Sequence, residues 1–170
     1  SLMGSGRVTG FQLWVAMPPG VEDGPSSGQY ISPADVAQTP IPGGTLRVLL
    51  GEIGKEAGRV ASPITSQQDM TYLVVTLSPG SRWSFTPPEA HSTAFAFVFS
   101  GAANVQGEAG GASLMVLGDK GDIVVETTDQ PAEVLIGTAA PHPYPLVLGP
   151  SSVHTNAASL AAAQTRIRQI

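Results

Sequence analysis

The chain has 170 residues, carries 8 lysines and arginines against 13 aspartates and glutamates for a net charge of −5, and contains no cysteine. That length suits about one domain with a real buried core. The charge balance gives no electrostatic footprint for nucleic-acid binding through phosphates, and the missing cysteines exclude a disulfide framework and a thiolate metal site.

Apolar residues make up 42% and charged residues only 12%. So few charges on a globular chain point to surface that is normally covered by a partner subunit or another domain. The 20 glycines and 15 prolines are spread along the chain, which favours many short strands joined by tight turns. No apolar run approaches the roughly 20 residues of a membrane span, and the cysteine-free composition is compatible with the cytoplasm.

In chain order, residues 1–9 read as an expression remnant or disordered start. Phe11 to Val15 alternates, with Phe11, Leu13 and Val15 on one face, and predicts a strand. Residues 10–44 are that strand plus an irregular interdomain segment, in which Ser32 can cap one turn. Residues 45–170 read as a barrel with a terminal helix. Strands are expected at Thr45–Leu50, Met70–Leu77, Ser81–Thr86, Ala94–Ser100, Ala102–Gln106, Leu114–Leu117, Ile123–Glu126, Glu133–Gly137 and Leu146–Leu148. Gly51–Gly58 reads as a loop, Ser78-Pro79-Gly80, Gly107–Gly111 and Gly118–Asp122 as turns, and Gly101 as a tight join. Short strands at regular spacing argue for an antiparallel sandwich or barrel. Asn156 can cap a final helix with Leu160, Ala163, Ile167 and Ile170 on one stripe.

Catalytic and metal motifs are sparse. His91, His142 and His154 are the three histidines, and none has the His-x-His or His-x-x-x-His spacing of a metal centre. His91, in the break between two strands near a barrel mouth, is the best placed of them. His142, in Pro-His-Pro, and His154, before the helix, read as turn residues. There is no Gly-x-Ser-x-Gly elbow and no phosphate-binding glycine loop followed by Lys-Ser/Thr. On the strand Ala94–Ser100 both faces are apolar. The ordinary reading is core; the sharper one lets Ala94, Ala96 and Val98 line a narrow lumen while Phe95, Phe97 and Phe99 pack outward. A low-priority pocket would use Trp83, Phe85, His91 and Phe97.

The chain resembles the pirin family. The resemblance rests on Phe11–Val15 followed by a proline, on Thr45–Glu52, Ser62-Pro63, and Tyr72-Leu73 leading to Pro79-Gly80. It continues with the Gly101 turn, Val116–Asp119, Val134–Gly137, and Gly149-Pro150 before the helix. It covers nearly the whole chain from Gly10.

The resemblance implies an all-β, cupin-type antiparallel β-barrel or jelly roll with a C-terminal α-helix, the second barrel of a bicupin. It further implies that iron belongs to an N-terminal cupin outside this chain, and that the full-length protein is a quercetinase-like dioxygenase or a regulatory cofactor. Laid on this sequence, the general cupin metal motif falls on Thr86 and Pro88 counting from Gly80, and on Ala94 counting back from Gly101. The second motif puts its histidine near Pro131. None of the four is a usual ligand. The expectation is a metal-free, non-catalytic barrel with no cofactor of its own, whose partner is the N-terminal cupin or a homodimer mate; a small apolar ligand or an enzyme site in the lumen near His91 is the alternative.

Overall fold

The computed structural model describes residues 10–54, 58–111, 113–118 and 121–169. They form two compact units: Pro25–Pro143, and the segment up to Gly24 together with Tyr144 onward. The sequence reading grouped 45–170 as one domain; here the stretch from Tyr144, with the helix, groups with the N-terminal segment.

The larger unit is built on eight strands of one antiparallel sheet: β1 (Gln38–Ile41), β2 (Gly44–Leu50), β5 (Met70–Leu77), β6 (Arg82–Phe85), β7 (Thr93–Val105), β8 (Glu108–Ala109), β9 (Met115–Leu117) and β10 (Ile123–Ala139). Between β2 and β5 lies a small hairpin, β3 (Glu52–Ile53) with β4 (Val60–Ala61), where the sequence predicted only a loop.

Two long strands organise everything. The first part of β10, Ile123–Thr127, runs between β6 and the end of β7, which continues into β8. Its second part, Ala132–Ala139, runs between β5 and the start of β7, which also carries β9. The sheet therefore has two arms that share β7 and β10. Trp83, Phe85, Val105, Ile123 and Val125 from one arm join Leu46, Leu73, Val75, Leu77, Ala96, Val134 and Ile136 from the other in a single buried cluster. Inward-facing residues alternate along each strand, so burying them requires the arms to face one another as in a jelly roll.

Two expected breaks proved to be continuous strand. Gly101 is not a turn between two strands; it lies inside β7. Likewise Ile123–Glu126 and Glu133–Gly137 are one strand of 17 residues. Between them Thr128–Pro131 bulges against a single residue of β7, between Ala103 and Gly101. A bulge admits Pro131 into a strand that otherwise needs every amide. Thr127 fixes the corner: its hydroxyl donates to the Ser78 carbonyl at 2.6 Å and accepts from the Ser81 amide at 2.9 Å.

The β7–β8 turn is the two-residue pair Gln106-Gly107, with φ of 54° and 80°. Positive φ at both positions is the signature of a type I′ hairpin. It replaces the longer flexible turn expected there.

On β7 the two faces differ, and the face of small residues belongs to the core. Ala94, Ala96 and Val98 are buried, whereas Phe95, Phe97 and Phe99 are half-buried on the opposite face. Phe95 lies over Gly137, where an added Cβ would strike its ring, and its centroid is 6.2 Å from that of Tyr72. Register explains the cluster, because Tyr72, Gly137 and Phe95 are direct neighbours across three strands. Burial raises the Tyr72 phenol above its ordinary range.

In the smaller unit, Phe11–Val15 forms no strand, a correction to the sequence reading; alternation alone supplies no ladder partner. The hairpin β11 (Val147–Leu148) with β12 (Val153–His154) precedes helix α1 (Ala157–Ile167). Asn156 caps the helix as expected, accepting from the Ser159 amide at 2.9 Å. Leu160 and Ala163 are half-buried, but Ile167 is 46% exposed; Ile170 lies outside the described residues. No helix among the described residues is long and apolar enough to cross a membrane.

Candidate functional site: the cavity at the cupin ligand positions

Strand β6 ends at Phe85, and Pro87-Pro88 then stops it from continuing along β10, since proline cannot donate to a ladder. The chain turns at His91, whose amide donates to the Pro88 carbonyl at 2.9 Å, and re-enters the sheet as β7. This turn walls a cavity of about 410 Å³ lined by Thr86, Pro88, Glu89, His91, Ala94 and Gln106, among others.

Three of the four positions singled out from sequence, Thr86, Pro88 and Ala94, thus share one cavity. Pro131 does not; it sits in the β10 bulge with its carbonyl against Gly101. The register shift at the bulge explains the difference, because counting along a sequence assumes a strand without extra residues.

Gln106 was missed. It reaches the cavity because the hairpin turn places it there, and its only sequence cue was the following glycine. Its amide nitrogen donates to the Asp122 carbonyl at 2.9 Å, while the Thr86 hydroxyl donates to the Asp122 carboxylate at 2.6 Å. These bonds tie the ends of β6 and β7 to the start of β10 across the cavity mouth.

His91 is buried, with its side chain 1% exposed. One ring nitrogen, Nε2, lies 2.9 Å from Asp69 Oδ1, and the other, Nδ1, lies 2.8 Å from Thr138 Oγ1. A carboxylate only accepts, so Nε2–H donates to Asp69, while Nδ1 is hydrogen-bonded to the threonine hydroxyl. Both nitrogens are used, leaving no lone pair for a metal. The imidazole instead joins the loop before β5, the loop before β7 and the end of β10. Replacing His91 with alanine is expected to lower unfolding free energy by about 1–3 kcal/mol, because buried Thr138 loses its partner. Equilibrium denaturation with urea reads this directly; a change within error would refute the assignment.

The proposed pocket of Trp83, Phe85, His91 and Phe97 is not assembled. Trp83 and Phe85 are stacked in the core with rings 6.2 Å apart and 3° from parallel. They border a different cavity, with Glu52, Ile53 and Gly54. Phe97 lies on the opposite face of β7 from Ala96, away from the core. The period-2 rule separates it from the other three.

At the three cupin ligand positions in this cavity, threonine, proline and alanine offer at most one weak oxygen donor where imidazoles and a carboxylate are needed. Among the described residues no three histidine, aspartate or glutamate side chains gather in a way that could hold a metal ion.

Comparison with known proteins agrees with this architecture. No family model matches the chain. A pirin-like protein of Arabidopsis thaliana is 36% identical over 121 residues, 68% of this chain and 37% of that protein. Quercetin 2,3-dioxygenase from Acinetobacter baumannii superposes with a TM-score of 0.70 at 21% identity, covering 83% of this chain and 49% of that one. GK1651 from Geobacillus kaustophilus superposes at 0.55 and 18% identity, covering 69% and 48%.

The two-armed antiparallel sheet with its mouth at Thr86–Ala94 defines a cupin-type jelly roll. Within that class the chain is pirin-like. It spans about half or less of the length of these relatives.

Proposed function

We propose that this chain is the metal-free, non-catalytic C-terminal barrel of a pirin-like bicupin, packing against a metal-bearing N-terminal cupin of the same protein. The observation that carries the reading is the side-chain chemistry at the cavity, where Thr86, Pro88 and Ala94 face the space that ligands would fill and His91 spends both nitrogens on Asp69 and Thr138. Iron and any dioxygenase chemistry on a quercetin-like flavonol then belong to the first barrel, or the pair acts as a regulatory cofactor through protein contacts in the cytoplasm. The low charge and the exposed Trp14, Val116 and Leu148 support a partner-covered surface.

Elemental analysis after incubation with ferrous iron and desalting is expected to find far less than one iron per chain. Stoichiometric retention, lost on substitution at Thr86 or His91, would overturn the reading. Light scattering then distinguishes a homodimer mate from an N-terminal cupin supplied in trans.

A second reading, a small ligand held in the barrel lumen, is favoured by the cavity itself, which combines the polar Thr86, Ser92 and Gln106 with the apolar Ala94 and Ile123. Saturable shifts of the Gln106 side-chain amide on titration with quercetin would support it.

A further inference from the structure

The smaller unit contains a buried acid–base pair that the barrel does not use. Glu22 follows a turn in which the Val21 and Glu22 amides donate to the Pro18 carbonyl. Its carboxylate accepts from the Thr155 amide at 2.7 Å and from the Thr155 hydroxyl. Its side chain is 3% exposed, and it faces Nδ1 of His154, itself 7% exposed, at 3.5 Å. That nitrogen has no hydrogen-bond partner, because 3.5 Å is longer than an N–H···O bond.

Among the described residues no lysine or arginine pairs with Glu22. Asp23 beside it accepts from the Ser159 hydroxyl at 2.7 Å. Arg166 of α1 donates to the Asp23 carbonyl rather than to a carboxylate. The groups on Glu22 from α1 and its cap are therefore the neutral donors of Thr155 and Ser159, with His154 from β12. A buried carboxylate among neutral donors is uncompensated charge. An imidazolium at His154 would supply the missing charge and a donor aimed at it.

These two residues also lie close in the chain to the two stretches that line one groove. Gln12 to Ala16 line one side of an apolar groove of about 500 Å³, and Leu146, Leu148, Ser152 and Val153 line the other. Glu22 follows the first stretch after the turn at Pro18, and His154 directly follows Val153 of the second in β12. We propose that Glu22 and His154 form an acid-responsive latch that holds the two walls of this groove together.

The latch is closed when the carboxylate is ionised and the imidazole is protonated. Hydrogen bonds from Thr155 hold the Glu22 carboxyl below its ordinary range, so the carboxylate side of the latch is lost only as pH falls through that lowered value. The groove therefore loosens as pH falls and the Glu22 carboxylate is protonated.

Trp14, at the rim, reports the state of the groove, and only one other tryptophan, Trp83, is present. The chain, labelled with ¹⁵N at the indoles, is titrated by NMR through the acid range. The Trp14 indole signal is expected to move as Glu22 is protonated while Trp83 stays still. Glu22→Gln and His154→Asn are each expected to abolish the Trp14 movement, and His142→Asn to leave it intact. A Trp14 signal flat with pH in the unsubstituted protein would overturn the latch even if both variants failed to fold. An unchanged Trp14 response in folded Glu22→Gln would do so as well.

Discussion

Alanine at Gly101 is expected to destabilise the larger unit by about 3 kcal/mol or more, seen as a large fall in the urea midpoint. Two independent effects add at this position. The backbone has φ of 72°, a left-handed conformation that costs a side-chain-bearing residue about 1 kcal/mol or more. A Cβ there would also collide with the carbonyl of Pro131 and crowd Ala132. That carbonyl cannot retreat easily, because the bulge at Thr128–Pro131 is anchored on one side by Thr127 and on the other by the resumed ladder at Ala132. The comparison substitution is Gly107→Ala, which also has a positive φ but meets nothing within 4 Å. It should show the backbone cost alone. Equal effects at the two sites would mean that contact with the bulge contributes nothing.

Trp83→Ala is expected to cost about 3–5 kcal/mol, in the range for removal of a buried aromatic. Trp83 is 9% exposed, stacks in parallel on Phe85, and belongs to the cluster in which the two arms meet. Its removal leaves a void at the end of β6, a four-residue strand whose ladder is with β10 alone. A pocket-lining tryptophan would behave differently, since its loss would impair ligand binding and leave stability within about 1 kcal/mol. Thermal unfolding of the variant therefore separates core from pocket. A variant as stable as the parent would return Trp83 to the candidate ligand-binding residues.

These two substitutions also mark where reading the chain residue by residue succeeds and fails. The sequence put Trp83 and Phe85 on one strand, and the structure keeps them together there. No local pattern signalled that His91 opens onto a different cavity, because that depends on where the Pro87-Pro88 segment leads the chain. Gly101 was correctly picked out as special and wrongly assigned to a turn. A glycine required by close backbone approach and one required by a hairpin look the same in sequence. The pair Gln106-Gly107 shows the converse: a two-residue turn formed where the glycine-rich stretch suggested a longer one, and the turn delivers Gln106 to the cavity mouth.

The sequence by itself determined the β-rich class, the cap at Asn156, the separation of alanines and phenylalanines onto the two faces of β7, and that threonine, proline and alanine stand at positions 86, 88 and 94. All of these follow from side-chain chemistry or from periods of two and a few residues, which are local properties. Only the tertiary structure decided that β7 and β10 run unbroken through both arms, that Pro131 stands apart from the other three positions, that His91 is a buried link between Asp69 and Thr138, and that Glu22 meets His154. Each of these joins residues far apart in the chain, and pairings over such distances are fixed by register, bulges and burial, which short stretches of sequence do not encode.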